Sequence, residues 1–322
     1  MKLGVFMVLF SRRPFEEALD YVASLGVQSV EIGVGGYVGN AHCHSHELLQ
    51  DDAKLKAFAR AVESRGLQIS ALSCHGNALH PNGKLAQQFH EDFQNAVLLA
   101  EKLDVPSVVT FSGCPGESER SENPVWITCP WPDDFSRVVE WQWSEKVLPY
   151  WQSQSGFLKD HHVKVAIEPH PGFNVYSSET FLRLREACGE QIGVNFDPSH
   201  LFWQGMNPVD CIREMAEAGA LLHFHAKDTA IASHNTAKNG VLDTKSYRDT
   251  RRRSWIFRTV GYGHDETVWR DMISMLQQYG YDGTLSIEHE DALMSPEEGF
   301  EKAVSFLKAL LIKERTEQIW WA

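Results

Sequence analysis

Short β-rich runs alternate with longer amphipathic segments along the whole of this 322-residue chain. Most of the runs are nearly continuous in apolar residues, as expected for strands buried on both faces of a sheet. Eight such strands, each followed by a helix, predict a closed parallel (β/α)8 barrel, also called a TIM barrel. The predicted strands are Leu3–Val8, Val27–Ile32, Gln68–Ser73, Ser107–Phe111, Val163–Glu168, Ile192–Phe196, Leu221–His225 and Thr284–Glu288.

An open, doubly wound sheet is the alternative architecture. Its first strand is normally followed by a glycine-rich phosphate loop, whereas this chain has Phe10-Ser11-Arg12-Arg13-Pro14 there. The cluster Gly33-Val34-Gly35-Gly36 follows the second strand, but a loose glycine cluster is weak evidence for a phosphate site. We therefore predict a single barrel domain over residues 1–322.

Two connections of the predicted barrel are unusually long, at residues 112–132 and 226–264. Long loops in a compact domain are usually functional or disordered, and the tryptophans in both argue for order. Both loops leave the carboxyl ends of strands, where barrel enzymes place their active sites. We interpret them as lids or pocket walls rather than as neutral insertions.

The net charge of −13 argues against polyanionic partners. A negative surface repels nucleic acid and anionic lipid, and Arg251-Arg252-Arg253 is too short a basic run to compensate. None of the six cysteines forms a C-x-x-C pair or a zinc-finger spacing, so we expect free thiols in a reducing compartment. No run reaches the roughly 20 apolar residues of a membrane span. We expect a cytoplasmic protein without nucleic-acid or membrane partners.

Carboxylates and imidazoles stand at the ends of the last four predicted strands. The carboxylates are Glu168, Asp197 and Glu288, and the seventh strand ends with His223 and His225. Neighbouring parallel strands deliver these groups to one rim, where three carboxylates would repel one another unless a cation neutralised them. Three oxygens and one nitrogen favour Mn²⁺, Mg²⁺ or Co²⁺ over a thiolate-bound zinc. From strand alternation we expect only one of the two histidines to point inward, without knowing which.

These strand ends resemble the sugar phosphate isomerase/epimerase family of xylose isomerase-like barrels. The similarity spans essentially the whole chain and is strongest from residue 163 to 291. By resemblance, the ligands of one divalent ion are Glu168, Asp197, His225 and Glu288, with Mn²⁺ expected first and Co²⁺, Mg²⁺ or Zn²⁺ as alternatives. The segments that carry the resemblance are Glu168-Pro169-His170-Pro171, Asp197-Pro198-Ser199-His200, His223-Phe224-His225-Ala226-Lys227-Asp228 and Ile287-Glu288-His289-Glu290-Asp291.

The resemblance also implies a reaction. In the ketose 3-epimerases, the glutamates that match Glu168 and Glu288 act as acid and base on opposite faces of a substrate carbon. The metal stabilises the negative charge that develops when the carbon beside a carbonyl loses its proton. The sequence therefore predicts a metal-dependent isomerase or epimerase that acts on a sugar, keto-sugar or cyclitol.

One residue departs from the plain epimerase pattern. His170 lies two residues after Glu168 and offers an additional general base, or a donor that holds a carboxylate in place. This histidine, the long aromatic loops and the segment around Trp141, Trp143 and Trp151 resemble the larger subunit of C-glycoside deglycosidases. That resemblance makes a lyase, which eliminates water or an aglycone from a 3-keto-sugar, the alternative function.

Other residues at the rim are expected to contact substrate: Glu31, His75, His200 and Lys227. The tail Ile319-Trp320-Trp321-Ala322 is too apolar to be free, so we expect it to pack on the barrel or on another subunit. We expect a homo-oligomer, and the deglycosidase branch leaves open a small partner subunit. A phosphodiesterase similar to endonuclease IV would need a basic surface and more histidine ligands, and a non-catalytic sugar-binding barrel would not need an intact ligand set.

Overall fold

The computed structural model describes residues 1–314, 319 and 321. Ten strands lie in these residues, and eight of them close into a parallel barrel, which confirms the predicted fold. Each barrel strand lies within two residues of its predicted bounds at either end. The strands are β1 Lys2–Phe6, β2 Ser29–Gly33, β3 Gln68–Ser73, β4 Ser107–Thr110, β5 Lys164–Ile167, β6 Ile192–Phe196, β7 Leu221–Ala226, β8 Asp228–Ile231, β9 Trp255–Arg258 and β10 Thr284–Ile287.

The barrel order is β1-β10-β7-β6-β5-β4-β3-β2, so β5, β6, β7 and β10 are consecutive neighbours in space. Helices surround the barrel, and the last of them shows how local sequence defines an element. Ser295 accepts the backbone N–H of Glu298, Pro296 occupies the first turn, and Phe300, Ala303, Val304 and Leu307 form the buried stripe. The helices are α1 Phe15–Ser24, α2 Ser45–Gln50, α3 Asp52–Glu63, α4 Gly83–Leu103, α5 Asp133–Trp141, α6 Leu148–Asp160, α7 Ser178–Cys188, α8 Pro198–Phe202, α9 Pro208–Glu217, α10 Ser233–Asn239, α11 Glu266–Gln278 and α12 Pro296–Leu310.

The main apolar core lies between the strands and the helices. Val194 and Phe196 of β6 belong to this core, whereas the alternating residues Asn195 and Asp197 make polar contacts inside the barrel. The barrel interior is therefore largely polar below the carboxyl-terminal rim.

The tryptophans of the segment before β5 serve packing. Trp143, in a π-helical turn at Gln142–Val147, and Trp151, in α6, are both buried in the main core. Together with Val147 and Leu158 they form one buried apolar stripe that fills the space between helix and sheet.

The two long connections differ in structure. Residues 112–132 contain no helix or strand, and Gln142 holds this segment through bonds from its side-chain amide to the carbonyls of Pro115, Gly116 and Val125. Residues 226–264 instead contain the antiparallel β8–β9 hairpin and α10, which sequence reasoning did not predict. Of the two connections, the second is therefore the one with regular secondary structure.

Membrane-spanning length and the carboxyl-terminal tail are the two remaining points of comparison with the sequence. No helix in the described part of the chain is both long and apolar enough to cross a bilayer. Trp320 and Ala322 lie outside the described residues, so the predicted packing of the tail stays a prediction.

Thiol labelling should distinguish one cysteine from the rest. All six cysteines are free thiols, and Cys129 is the exposed one. Burial raises the pKa of Cys43 and of Cys114 to about 12 and that of the half-buried Cys188 to about 11, which removes the reactive thiolate at neutral pH. We expect iodoacetamide to label Cys129 alone in the native protein and all six cysteines after unfolding, as counted by mass spectrometry. Rapid native labelling of Cys43 or Cys114 would contradict this packing.

Candidate active site

Four side chains converge at the carboxyl-terminal rim of the barrel: Glu168, Asp197, His225 and Glu288. Each offers one ligand atom, and these four atoms all lie within 4.8 Å of one another. They follow or end β5, β6, β7 and β10, the four consecutive barrel strands. The structure thus brings together the set of residues that the sequence predicted as metal ligands.

The chemistry of this cluster fits a cation. His225 Nδ1 lies 3.1 Å from a Glu168 oxygen and 3.0 Å from a Glu288 oxygen, yet it makes no hydrogen bond. Asp197 Oδ2 is also buried without a hydrogen bond. Buried polar atoms are normally paired, so lone pairs that face one another across a few ångströms suit a bound metal ion.

Lys227 is the one lysine or arginine that contacts this cluster in the described part of the chain. Its Nζ lies 3.1 Å from Asp197, 2.8 Å from Glu288 and 3.1 Å from Glu290. Burial alone would lower the pKa of Lys227, but these carboxylates outweigh burial and hold it well above its usual value. The ammonium group therefore neutralises only part of the negative charge at the rim.

Besides His225, two histidines contact Glu168. His75 Nε2 lies 3.0 Å from Glu168 Oε2, and His200 Nε2 lies 3.3 Å from Glu168 Oε1 and 3.1 Å from Asp197 Oδ2. Burial opposes a charge on His200, but Asp197 outweighs it and raises the pKa of His200 to about 9.

The ring of His170 packs against His200 with centroids 4.1 Å apart, and burial lowers the pKa of His170 to about 3. His170 Nδ1 donates to the Pro171 carbonyl at 2.6 Å, which leaves Nε2 as the basic nitrogen.

Glu31 lies beneath the cluster and does not line the cavity described below. Its carboxylate accepts hydrogen bonds from His225 Nε2 at 2.9 Å, from Ser73 at 2.5 Å and from Ser286 at 2.6 Å. Burial would raise the pKa of Glu31, but the two histidines near it hold that pKa at about 2. A buried carboxylate on one imidazole nitrogen fixes the ring and leaves the other nitrogen for a metal.

Both histidines of β7 point into the barrel, so the expectation that only one does is wrong. Residues two apart on a strand share a face, and the rings of His223 and His225 lie 2.9 to 3.8 Å from the Glu31 carboxylate. His223 lies one layer lower, where Nδ1 donates to Asn195 Oδ1 at 3.0 Å. The Asn195 amide in turn donates to Glu168 Oε2 at 2.8 Å.

Sequence reasoning missed Asn195 and Ser286 and considered His223 only as the alternative to His225, although a simple signal identifies all three. Each lies two residues before a predicted ligand, and period-two alternation places it on the same inner face one layer below.

Substitution of Asn195 should weaken metal binding without removing a ligand. Asn195→Ala deletes the donor that orients Glu168 and leaves His223 without its partner. We expect a 10- to 100-fold loss of metal affinity, the usual effect of removing a group that orients a ligand, measured by competition with a chelator. Asn174→Ala removes another buried asparagine, which contacts Gln142 instead, and should leave metal affinity unchanged. Equal affinities for the two variants would contradict the orienting role.

A cavity of about 460 Å³ opens over the cluster. Of the residues predicted for the site, Glu168, Glu288, His75, His170 and Lys227 reach it, whereas Asp197, His200 and His225 lie behind its surface. The remaining lining residues are Phe6, Val8, Leu9, Tyr37, Val38, Phe111, His289 and Glu290.

Comparison with known proteins gives the family of the chain. Residues 19–310 match the family of xylose isomerase-like TIM barrels, and the protein belongs to that family. It is 36% identical over 311 residues to the uncharacterized protein YfiH of Bacillus subtilis strain 168, covering 96% of this chain and 98% of YfiH. It is 25% identical over 281 residues to an inosose dehydratase of Clostridium botulinum, covering 86% of this chain and 82% of that enzyme.

Solved structures agree with this fold. The 3-keto-D-glucoside 4-epimerase YcjR of E. coli superposes with a TM-score of 0.65 at 13% identity, covering 96% of this chain and 99% of that one. The IolI protein, solved with a bound zinc atom, superposes with a TM-score of 0.64 at 16% identity, covering 97% and 98%. The relatives and neighbours with named activities include epimerases and dehydratases that modify sugars and related compounds.

Proposed function

We propose that this protein is a divalent-metal-dependent isomerase or epimerase of a sugar, keto-sugar or cyclitol, working by proton abstraction beside a carbonyl. The observation that carries the proposal is the convergence of Glu168, Asp197, His225 and Glu288 within 4.8 Å beneath an open cavity. Three carboxylates and one imidazole suit Mn²⁺, which we propose first, and the zinc bound by the similar IolI protein keeps Zn²⁺ as an alternative. When bound, the ion would supply a Lewis acid that polarises a substrate carbonyl.

The two glutamates are suited to move the proton. Glu288 is the more accessible, with 18% of its side chain exposed against 3% for Glu168. It can therefore take a proton from substrate and exchange it with solvent. Glu168 is fixed by His75 and Asn195 and faces the same cavity, so it can return a proton from another direction.

Lys227 and His75 complete the polar side of the cavity. Lys227 donates to Glu288 and keeps that carboxylate oriented, while its position at the surface of the cavity lets it also contact a substrate hydroxyl. His75 donates to Glu168 and lies at the cavity wall beside Phe111. We assign these two side chains to orientation of substrate and of the acid-base pair.

A lyase is the second candidate, and the position of His170 favours it. Elimination uses a base that removes the first proton and a separate acid for the leaving group, and His170, a neutral imidazole with a basic Nε2, adds a base to the two glutamates. His170 lines the cavity, and its Nε2 is left without a hydrogen bond to the protein among the described contacts. The 25% identity to an inosose dehydratase is consistent with this alternative.

Two measurements in sequence test the proposal. Metal content of the purified protein is determined first, and deuterium uptake from D2O into a panel of sugars, cyclitols and 3-keto-glycosides is determined next. About one divalent ion per chain with exchange into an intact sugar supports the isomerase. Exchange accompanied by loss of water or of an aglycone supports the lyase, and absence of metal under replete conditions would refute both.

A further inference from the structure

Two neighbouring turns give the cavity an apolar stretch that includes an exposed side chain. Val8 and Leu9 come from the turn after β1, and Tyr37 and Val38 come from the turn after β2. Tyr37 is 58% exposed, and the other three side chains are half-buried. We call these four residues the apolar rim. A contiguous exposed apolar surface beside a polar cleft usually marks a binding surface.

The apolar rim is held firmly in place, and the glycine cluster after β2 is what holds it. Gly36 has a φ of +69° and approaches His75 so closely that a Cβ atom would lie 2.1 Å from the His75 carbonyl oxygen. Its N–H bonds to Asp92 at 2.8 Å, and the N–H of Tyr37 bonds to the same His75 carbonyl at 2.7 Å. Gly33 admits the side chain of Val8 at 2.9 Å from where its own Cβ would lie. These glycines therefore bring the rim to the cavity rather than binding phosphate.

The cavity also has a charged lining, and its charge is mostly negative. Glu168, Glu288 and Glu290 line it, and among the described lining residues Lys227 is the one lysine or arginine. Lys227 already contacts Glu288 and Glu290. Away from the proposed metal ion, a phosphate group would meet Glu290 and no lysine or arginine that lacks a carboxylate partner, so this cavity disfavours a sugar phosphate.

The size of the cavity points in the same direction. Its 460 Å³ lies within the range of roughly 300–1,000 Å³ that is typical of small-molecule sites, which leaves room for more than one sugar ring. A monosaccharide seated at Glu168 and Glu288 would leave the outer part of the cavity, next to Tyr37 and Val38, unfilled.

We infer that the substrate is an uncharged sugar derivative with an apolar substituent, an aryl or alkyl aglycone, that rests on the apolar rim while the sugar faces Glu168 and Glu288. This inference rests on the proposed function for the position of the sugar. It adds the substrate class, which the ligand set alone leaves open. The substituent is an affinity element in either reaction, whether it stays on the sugar or leaves.

Calorimetric titration of metal-loaded protein tests the inference with matched probes. The probes are phenyl and methyl glycosides of glucose, galactose and mannose, with the 6-phosphates of the same sugars. We expect the phenyl member of at least one pair to bind ten-fold or more tightly, which burial of about 60 Å² of apolar surface provides. The 6-phosphates should bind no more tightly than the free sugars.

A variant and its control tie the effect to the rim. Tyr37→Ser should reduce the phenyl-over-methyl ratio about fivefold. Tyr279→Ser alters a tyrosine that is 41% exposed and outside the cavity, and should leave the ratio unchanged. If no phenyl glycoside binds more tightly than its methyl partner, including the case in which neither binds, the inference is overturned. Metal content and deuterium exchange test the proposed function and are measured independently of this titration. Failure of the inference is therefore distinguishable from failure of the proposed function.

Discussion

Glu168→Gln is expected to lose stoichiometric metal and to lower turnover at least 100-fold. One Glu168 oxygen belongs to the converging ligand set, and three imidazoles and Asn195 surround the carboxylate. Glutamine keeps the size of the side chain but removes a negative ligand and the general acid-base group, whose contribution to catalysis is typically 10²- to 10⁴-fold. Metal content by mass spectrometry and turnover of any substrate found in the exchange panel measure the two effects.

Glu290→Gln provides the matched control for metal binding. Glu290 lines the same cavity and contacts Lys227 at 3.1 Å, but it is half exposed and lies outside the ligand set. We expect this variant to retain about one ion per chain. Full metal content in Glu168→Gln, or equal loss in both variants, would refute the assigned ligand set.

Asp228→Asn should destabilise the connection between β7 and α11. The buried Asp228 carboxylate accepts hydrogen bonds from the backbone of Thr229, Gly261, Gly263 and His264 and from the side chains of His264 and Trp269. An amide would turn one acceptor into a donor that faces other donors. We expect the free energy of unfolding to fall by about 3 kcal/mol, since breaking a buried charged network typically costs 3–5 kcal/mol. Urea denaturation measures the change.

Asp265→Asn, the same change at another position of this connection, is the control. It distinguishes loss of the Asp228 hydrogen bonds from a general effect of removing one negative charge. Asp265 is exposed and caps α11, where it accepts the backbone N–H groups of Thr267 and Val268. Asparagine caps helices about as well as aspartate, so Asp265→Asn should change the free energy of unfolding by less than about 0.5 kcal/mol. Comparable losses in the two variants would contradict the role of Asp228.

Barrel strands were predictable because buried parallel strands leave unbroken apolar runs. Ile192–Phe196 and Gln68–Ser73 have the predicted bounds. The other barrel strands begin or end one or two residues away from the predicted positions. The predicted ligand set lies together for the same reason, since strand ends share a rim. The hairpin Asp228–Ile231 with Trp255–Arg258 could not be predicted, because a 23-residue excursion separates two short runs.

Roles within the site were less predictable than positions. Glu31 and His75 were both expected to contact substrate because both lie near strand ends. Glu31 instead lies under His225, whereas His75 lies at the cavity wall. The difference depends on barrel tilt and on irregular pairing, such as the register shift between β2 and β3 beside Glu31, which the sequence pattern does not reveal. Trp143 and Trp151 likewise contributed to the resemblance to the deglycosidases, yet they fill the space between helix and sheet.

The alternation of inner and outer positions along β6, β7 and β10 has an evolutionary consequence. Asn195, His223 and Ser286 face the interior, while their immediate neighbours Phe196 and Phe224 pack against helices. Mutations that redesign the reaction and mutations that maintain folding therefore fall on different, interleaved codons of the same short strands. Descendants of this chain can acquire new chemistry one inner position at a time while selection preserves the outer layer unchanged.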